Sequence, residues 1–193
     1  MKNAIRSLRA VAVLAALTGV VYPLVLTLVA QVTMPAKADG SLERVDGRVV
    51  GSSLIGQAWE GDAWFYGRPS AAGYEASASS GSNLGPTSRE LSQQIRARIG
   101  AVLAQERPYV PGLTAADVPV DLVTESASGL DPDISVAAAE LQAPRIASVR
   151  GIPLAKVQSL IAEHTAGCTF GVLGEPRVNV LELNLALTQL ERG

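Results

Sequence analysis

The chain has a single cysteine, Cys168, and a single histidine, His164, among its 193 residues. One thiol excludes an intrachain disulfide, and one thiol with one imidazole matches no zinc-ligand spacing. Stability must therefore come from packing. Formal charge is only -2 and no run of five basic residues occurs, so the electrostatic footprint of a nucleic-acid binder is missing. No G-x-x-x-x-G-K-[ST] phosphate loop and no G-x-S-x-G nucleophile elbow is present, and Ser-His-Asp catalysis would have to recruit His164. The length leaves room for one membrane segment and one domain of about 150 residues, near the usual size for a single core.

What the chain does have is a long uncharged run. From Ala10 to Val32 no side chain is charged, and about 23 residues at 1.5 Å each reach roughly 34 Å, enough to cross a bilayer. Lys2, Arg6 and Arg9 precede the run without an acid, whereas Lys37, Asp39, Glu43, Arg44 and Asp46 beyond it mix both signs. The positive-inside rule then keeps the N-terminus cytoplasmic and puts the rest outside. The competing reading is a cleaved signal peptide, because Ala36-Lys37-Ala38 forms an A-x-A-like site, although signal h-regions usually hold only about 7 to 15 residues. Pro23 in mid-span frees a backbone carbonyl and predicts a kink or a neighbouring helix.

The remainder reads as mixed α and β. Residues 33–41 form a connector, and a domain begins near Leu42. Asp46-Gly47 between valines signals a hairpin, Trp64-Phe65-Tyr66 a short strand, and Val120 to Thr124 another. Thr87 and Glu90 are spaced as a capping box for a helix from Ser88 to about Gln105. Ser135 caps a helix through Gln142, and Pro144 and Pro153 open two further helical segments. Asn179 and Glu182 cap a final helix from about Val180 to Leu190. The fold class is α+β: one N-terminal transmembrane helix (10–32) after a cytoplasmic N-terminus (1–9), then a single mixed α/β extracytoplasmic domain (42–193).

Several motifs admit a chemical and a plainer reading. The loop Ser77 to Pro86 opens onto a helix N-terminus, where free amides hold anions, yet it lacks a phosphate-loop lysine and the second-glycine spacing and reads first as a structural turn. Asp131 and Asp133 flank Pro132; paired acids suit acid-base work or a hard cation, but both also suit the positive end of a helix. His164 sits where an imidazole caps the last carbonyls of a helix. Glu175-Pro176-Arg177 is either a binding loop or a strand entry.

Seven blocks, in order, resemble the C chain of the Kdp potassium-transporting ATPase. They are Gly51-Ser52-Ser53-Leu54-Ile55-Gly56-Gln57, Gly67-Arg68-Pro69-Ser70-Ala71, Gly81-Ser82-Asn83-Leu84-Gly85-Pro86, Asp121-Leu122-Val123-Thr124, Ser128-Gly129-Leu130-Asp131-Pro132, His164-Thr165 and Gly174-Glu175-Pro176-Arg177-Val178-Asn179-Val180-Leu181. The chain departs from the family pattern at Asp133 and Val136, where histidine and proline are expected. The resemblance implies a bacterial inner-membrane complex with a KdpA-like potassium-translocating chain, a KdpB-like P-type ATPase chain and a small KdpF-like peptide. In it this chain is non-catalytic, and ATP and K+ are handled by the complex. It further implies a catalytic chaperone that raises ATP affinity, with Ser79, Ser80, Gly81, Ser82, Asn83 and Gly85 as a nucleotide-coupling loop. Arg68, Pro69, Asp131, Glu175, Arg177 and Asn179 are the candidate partner or motif contacts. An outer domain cannot touch cytoplasmic nucleotide, so that coupling is expected to be indirect. Asp117, Asp121, Asp131 and Asp133 are candidates for enriching cations at an outer entrance. A free-standing membrane-anchored enzyme or ligand-binding module is the alternative.

Overall fold

The computed structural model describes residues 2–190; Met1 and residues 191–193, the end of the expected domain, lie outside the described residues. The chain divides into two compact units, Met1–Val50 and Gly51–Gly193.

In the first unit, α1 (Lys2–Ala16), a π-helical turn (Leu17–Val21) and α2 (Tyr22–Thr33) form one continuous helix. Its mean hydropathy reaches 2.3, and it is long and apolar enough to cross a membrane. Pro23 brings a ring into the preceding turn and removes a donor. The π turn immediately before it answers that mismatch: the Tyr22 amide donates to the Leu17 carbonyl, five residues back, so the expected interruption becomes a local rewinding. The connector is more regular than expected, containing the short helix α3 (Pro35–Ala38). The hairpin forms as its sequence predicts, β1 (Leu42–Val45) pairing with β2 (Arg48–Ser52). Asp46 and Gly47 both take positive φ, 50° and 78°, which is the primed turn that matches strand twist.

The second unit packs four helices and a small sheet around one core. Helix α4 (Arg89–Glu106) is capped by Ser88, whose Oγ accepts from the Leu91 amide, rather than by Thr87. The three-stranded antiparallel sheet has the order β3 (Asp133–Ser135), β5 (Arg177–Asn179), β4 (Thr165–Ala166). Helix α5 (Val136–Arg150) starts at the Ser135 cap and ends at Gly151 in the left-handed conformation. It continues past Pro144, where a break was expected. Ala138, Ala139, Gln142, Ala143, Arg145, Ile146 and Ala147 are all buried on it, and burying both sides of the proline outweighs a local penalty of about 3 kcal/mol. Helix α6 (Leu154–Glu163) starts just after Pro153 as expected, and α7 (Val180–Leu190) follows its expected bounds. Ile134, Ile146, Val157, Ile161, Val178, Leu183 and Leu187 make the centre of the core with Phe65.

Two expected strands are absent. Val120–Leu122 is a 3-10 turn: the Val123 and Thr124 amides both donate to the Val120 carbonyl, at 3.2 and 2.9 Å, so the backbone closes on itself instead of pairing with a strand. Trp64-Phe65-Tyr66 joins no sheet, yet its backbone is paired as if it did. Asn184 accepts from the Phe65 amide at 2.9 Å and donates to its carbonyl at 3.0 Å, and Gln142 does the same for Tyr66 at 2.8 and 3.2 Å. Two amide side chains on helices thus stand in for a neighbouring strand. Beside them the buried Arg145 pairs with Glu106 and reaches the carbonyls of Asp62 and Trp64. Burial pushes the Glu106 carboxyl up against the lowering pull of Arg145.

Candidate functional site

The register of the sheet builds a polar groove. Ile134 faces Val178 across β3 and β5, and both point into the core. With a two-residue period, Asp133, Ser135, Arg177 and Asn179 must then point the other way. Asp133 sits opposite Asn179 and Ser135 opposite Arg177, so Asp133 and Arg177 meet on the diagonal, with Nε to Oδ2 at 3.0 Å. Asn179 spans three partners: its amide donates to the Ser53 carbonyl at 2.8 Å and to Asp133 at 3.4 Å, while its Oδ1 accepts from the Glu182 amide and caps α7.

A second ion pair closes the other side. Arg68 reaches Asp131 at 3.0 Å and the Glu125 carbonyl at 3.3 Å, while its Nε is buried without an acceptor. Asp131 in turn accepts from the Asp133 amide at 3.1 Å across Pro132. Asp121 holds the start of α5, taking the Ser135 amide at 2.6 Å and its hydroxyl at 3.0 Å. Burial raises the Asp133 carboxyl above its ordinary value; Arg177 pulls it down and the Asp131 charge pushes it up.

Together Arg68, Asp121, Asp131, Asp133, Glu175 and Arg177 line an open groove of about 470 Å³. Four carboxylates face two guanidiniums there, which leaves an acid excess. Of the expected contacts, Arg68, Asp131, Glu175 and Arg177 thus come together, and Asn179 braces them through Asp133. Pro69 lies behind, its carbonyl accepting from the Ser126 amide. Asp117 stands apart, closing a capping box with Thr114.

The glycine-rich blocks support this groove from beneath. A Cβ on Gly56 would overlap the Asp131 carbonyl, and one on Gly129, at φ 66°, would meet the Ser80 carbonyl. The expected nucleotide-coupling loop docks on residues 127–129 instead of lining the groove. Ser79 donates to the Ser128 carbonyl at 2.9 Å, Gly81 lies against the Ala127 backbone, and Asn83 donates to Gly81. Ser80, Ser82 and Gly85 complete that loop. His164 places Nδ1 2.9 Å from the Leu160 carbonyl, at the end of α6. Among the described residues no three His, Cys, Asp or Glu side chains converge as a metal ion would require.

The reach of Asp121 to Ser135 was not read from the sequence, and neither was the Ser53 brace on Asn179. Their only sequence signal is that each sits in one of the seven family-like blocks or beside one.

These features define a protein with one helix able to cross a membrane and an α+β unit whose polar groove is held by paired charges. A family model described as K+-transporting ATPase, c chain, matches residues 4–189, and the chain belongs to this KdpC family. Similar proteins include the potassium-transporting ATPase KdpC subunit of Polaromonas naphthalenivorans (strain CJ2), 55% identical and covering 99% of this chain and 97% of the relative. The KdpC subunit of Herpetosiphon aurantiacus is 50% identical over 96% of this chain and 95% of its own. That of Nitratidesulfovibrio vulgaris (strain Miyazaki F) is 50% identical over 97% and 94%.

Proposed function

We propose that the chain is a non-catalytic accessory subunit of the potassium-transporting ATPase, anchored in the inner membrane with its N-terminus cytoplasmic and its α+β unit outside. Family membership across residues 4–189 carries this reading. The basic N-terminus, Lys2, Arg6 and Arg9, supports the orientation. In the groove Arg68 pairs with Asp131, Arg177 with Asp133, and Asp121 holds the start of α5, which suits a docking surface better than a reacting one.

Its partners are the potassium-translocating chain, the ATP-hydrolysing chain and a small hydrophobic peptide, with ATP and K+ handled by them. The subunit stabilises the assembly and raises ATP affinity as a coupling free energy between sites on opposite sides of the bilayer. The Ser79–Gly85 loop takes part through its docking on residues 127–129, next to Arg68 and Asp131, and no nucleotide contact is needed. The acid excess of the groove supports a role in enriching cations at the outer face.

The test measures ATP hydrolysis by the purified complex with and without this chain. The apparent KM for ATP is expected to rise several-fold without it, and an unchanged KM contradicts the coupling. Neutralising Asp121, Asp131 and Asp133 together should raise the K+ concentration for half-maximal activity; no change removes the cation-enriching role.

A further inference from the structure

Phe170, Val172 and Leu173 stand at the tip of the hairpin between β4 and β5, and they are 89%, 79% and 58% exposed. The tip is ordered by its own backbone. Thr169 and Leu173 exchange hydrogen bonds of 2.8 and 2.9 Å, and the Gly171 amide donates to the Cys168 carbonyl at 2.9 Å. The turn needs left-handed backbone at two successive residues, Phe170 at φ 55° and Gly171 at φ 78°. Glycine takes that conformation freely, whereas a bulky aromatic residue is strained in it. The chain therefore holds an aromatic side chain in a costly conformation and points it at water, and residues held this way cluster at functional sites.

We infer that this tip is an anchor that inserts into an apolar socket on another subunit of the ATPase complex; the inference rests on the accessory-subunit reading. Three observations select that occupant. First, no charged side chain lies between Thr165 and Gly174, the next charge is Glu175, and Arg177 is engaged by Asp133. A loop that binds an anionic bilayer carries basic residues at its flanks. Second, the three side chains expose roughly 400 Å², about half of what each partner contributes to a stable two-body interface. That is too little to hold a second copy of this chain, and it suits a hot-spot cluster inside a larger contact. Third, Gly174, Glu175 and Arg177 follow the tip and line the groove, so tip and groove make one continuous face.

The experiment places photoreactive benzoylphenylalanine at position 170 in the full complex and identifies the adduct by mass after irradiation of membranes. A crosslink to another subunit of the complex is expected. A crosslink to lipid, to a second copy of this chain, or to nothing overturns the inference. Phe170→Gly supplies a check that does not depend on damaging the fold. Glycine suits φ 55°, so the full-length variant should melt at or above the wild-type temperature, while recovery of the other subunits from gently solubilised membranes falls about tenfold. A variant that retains its partners fully contradicts the anchor. If the wild-type chain itself recovers no ATPase subunit, the accessory reading falls and the anchor with it, which separates the two failures.

Discussion

Arg145 and Arg177 make ion pairs of nearly the same length in opposite surroundings. Arg145 and Glu106 are 0% and 2% exposed at 2.8 Å; Arg177 and Asp133 are 45% and 26% exposed at 3.0 Å. The difference teaches that solvation, not distance, decides what an ion pair does. The buried pair is surrounded by fixed acceptors, since Arg145 also reaches Gln142 and lies 5.1 Å from the Tyr66 ring centre. It ties the irregular segment before residue 67 to α4 and α5. The groove pair is half in water and adds little to folding.

The largest effect that would break this contrast concerns Arg145→Ala. Removing one member of a buried pair strands the other, at a cost of about 3 to 5 kcal/mol, read by chemical denaturation of the full chain in detergent. Arg145→Met with Glu106→Leu should recover most of that loss, because neither charge then remains buried. Equal midpoints for Arg145→Ala and Arg177→Ala would erase the distinction. Asn184→Leu comes next: it keeps the branched shape and leaves the Phe65 amide and carbonyl without partners, costing about 1 to 3 kcal/mol in the same assay.

Arg177→Ala should lower stability by less than about 1 kcal/mol but shift a titration. The Asp133 carboxyl is already raised, chiefly by burial, and Arg177 opposes the rise. A raised acid favours folding below its ordinary value and loses that contribution as pH rises through the folded value. Without Arg177 the Asp133 titration followed by carbon NMR should move further up; a downward move would contradict the assigned cause. The smallest effect is at Asp117, which Thr114 holds below the usual carboxylate value through its hydroxyl and amide. That contribution is present above the ordinary value and lost as pH falls through the lower folded one. Asp117→Asn should lower stability slightly in the neutral range and leave it unchanged below the folded value, which flattens the acid limb.

Local chemistry was legible in the sequence, and contacts between distant segments were not. The uncharged run, the Asp46-Gly47 turn, and helices α4, α6 and α7 follow from composition, turn residues and period. Pro144 misled because a proline penalty is local while the burial that overrides it is tertiary. Trp64 to Tyr66 misled because β-type residues found their backbone partners in Asn184 and Gln142, 119 and 76 residues away for Phe65 and Tyr66. The groove was half legible: Arg68, Asp131, Glu175 and Arg177 stood out within motif blocks. Only the fold brings Arg68 to Asp131, 63 residues away, and sets both in the groove beside the Asp133–Arg177 pair.

The most direct test of the central claim is to recover the tagged chain from gently solubilised membranes of cells expressing all components and to identify by mass what accompanies it. A potassium-translocating chain and a P-type ATPase chain are expected in constant ratio to it. Recovery of this chain alone would contradict the accessory role and return the groove to consideration as the site of a free-standing enzyme or ligand-binding module.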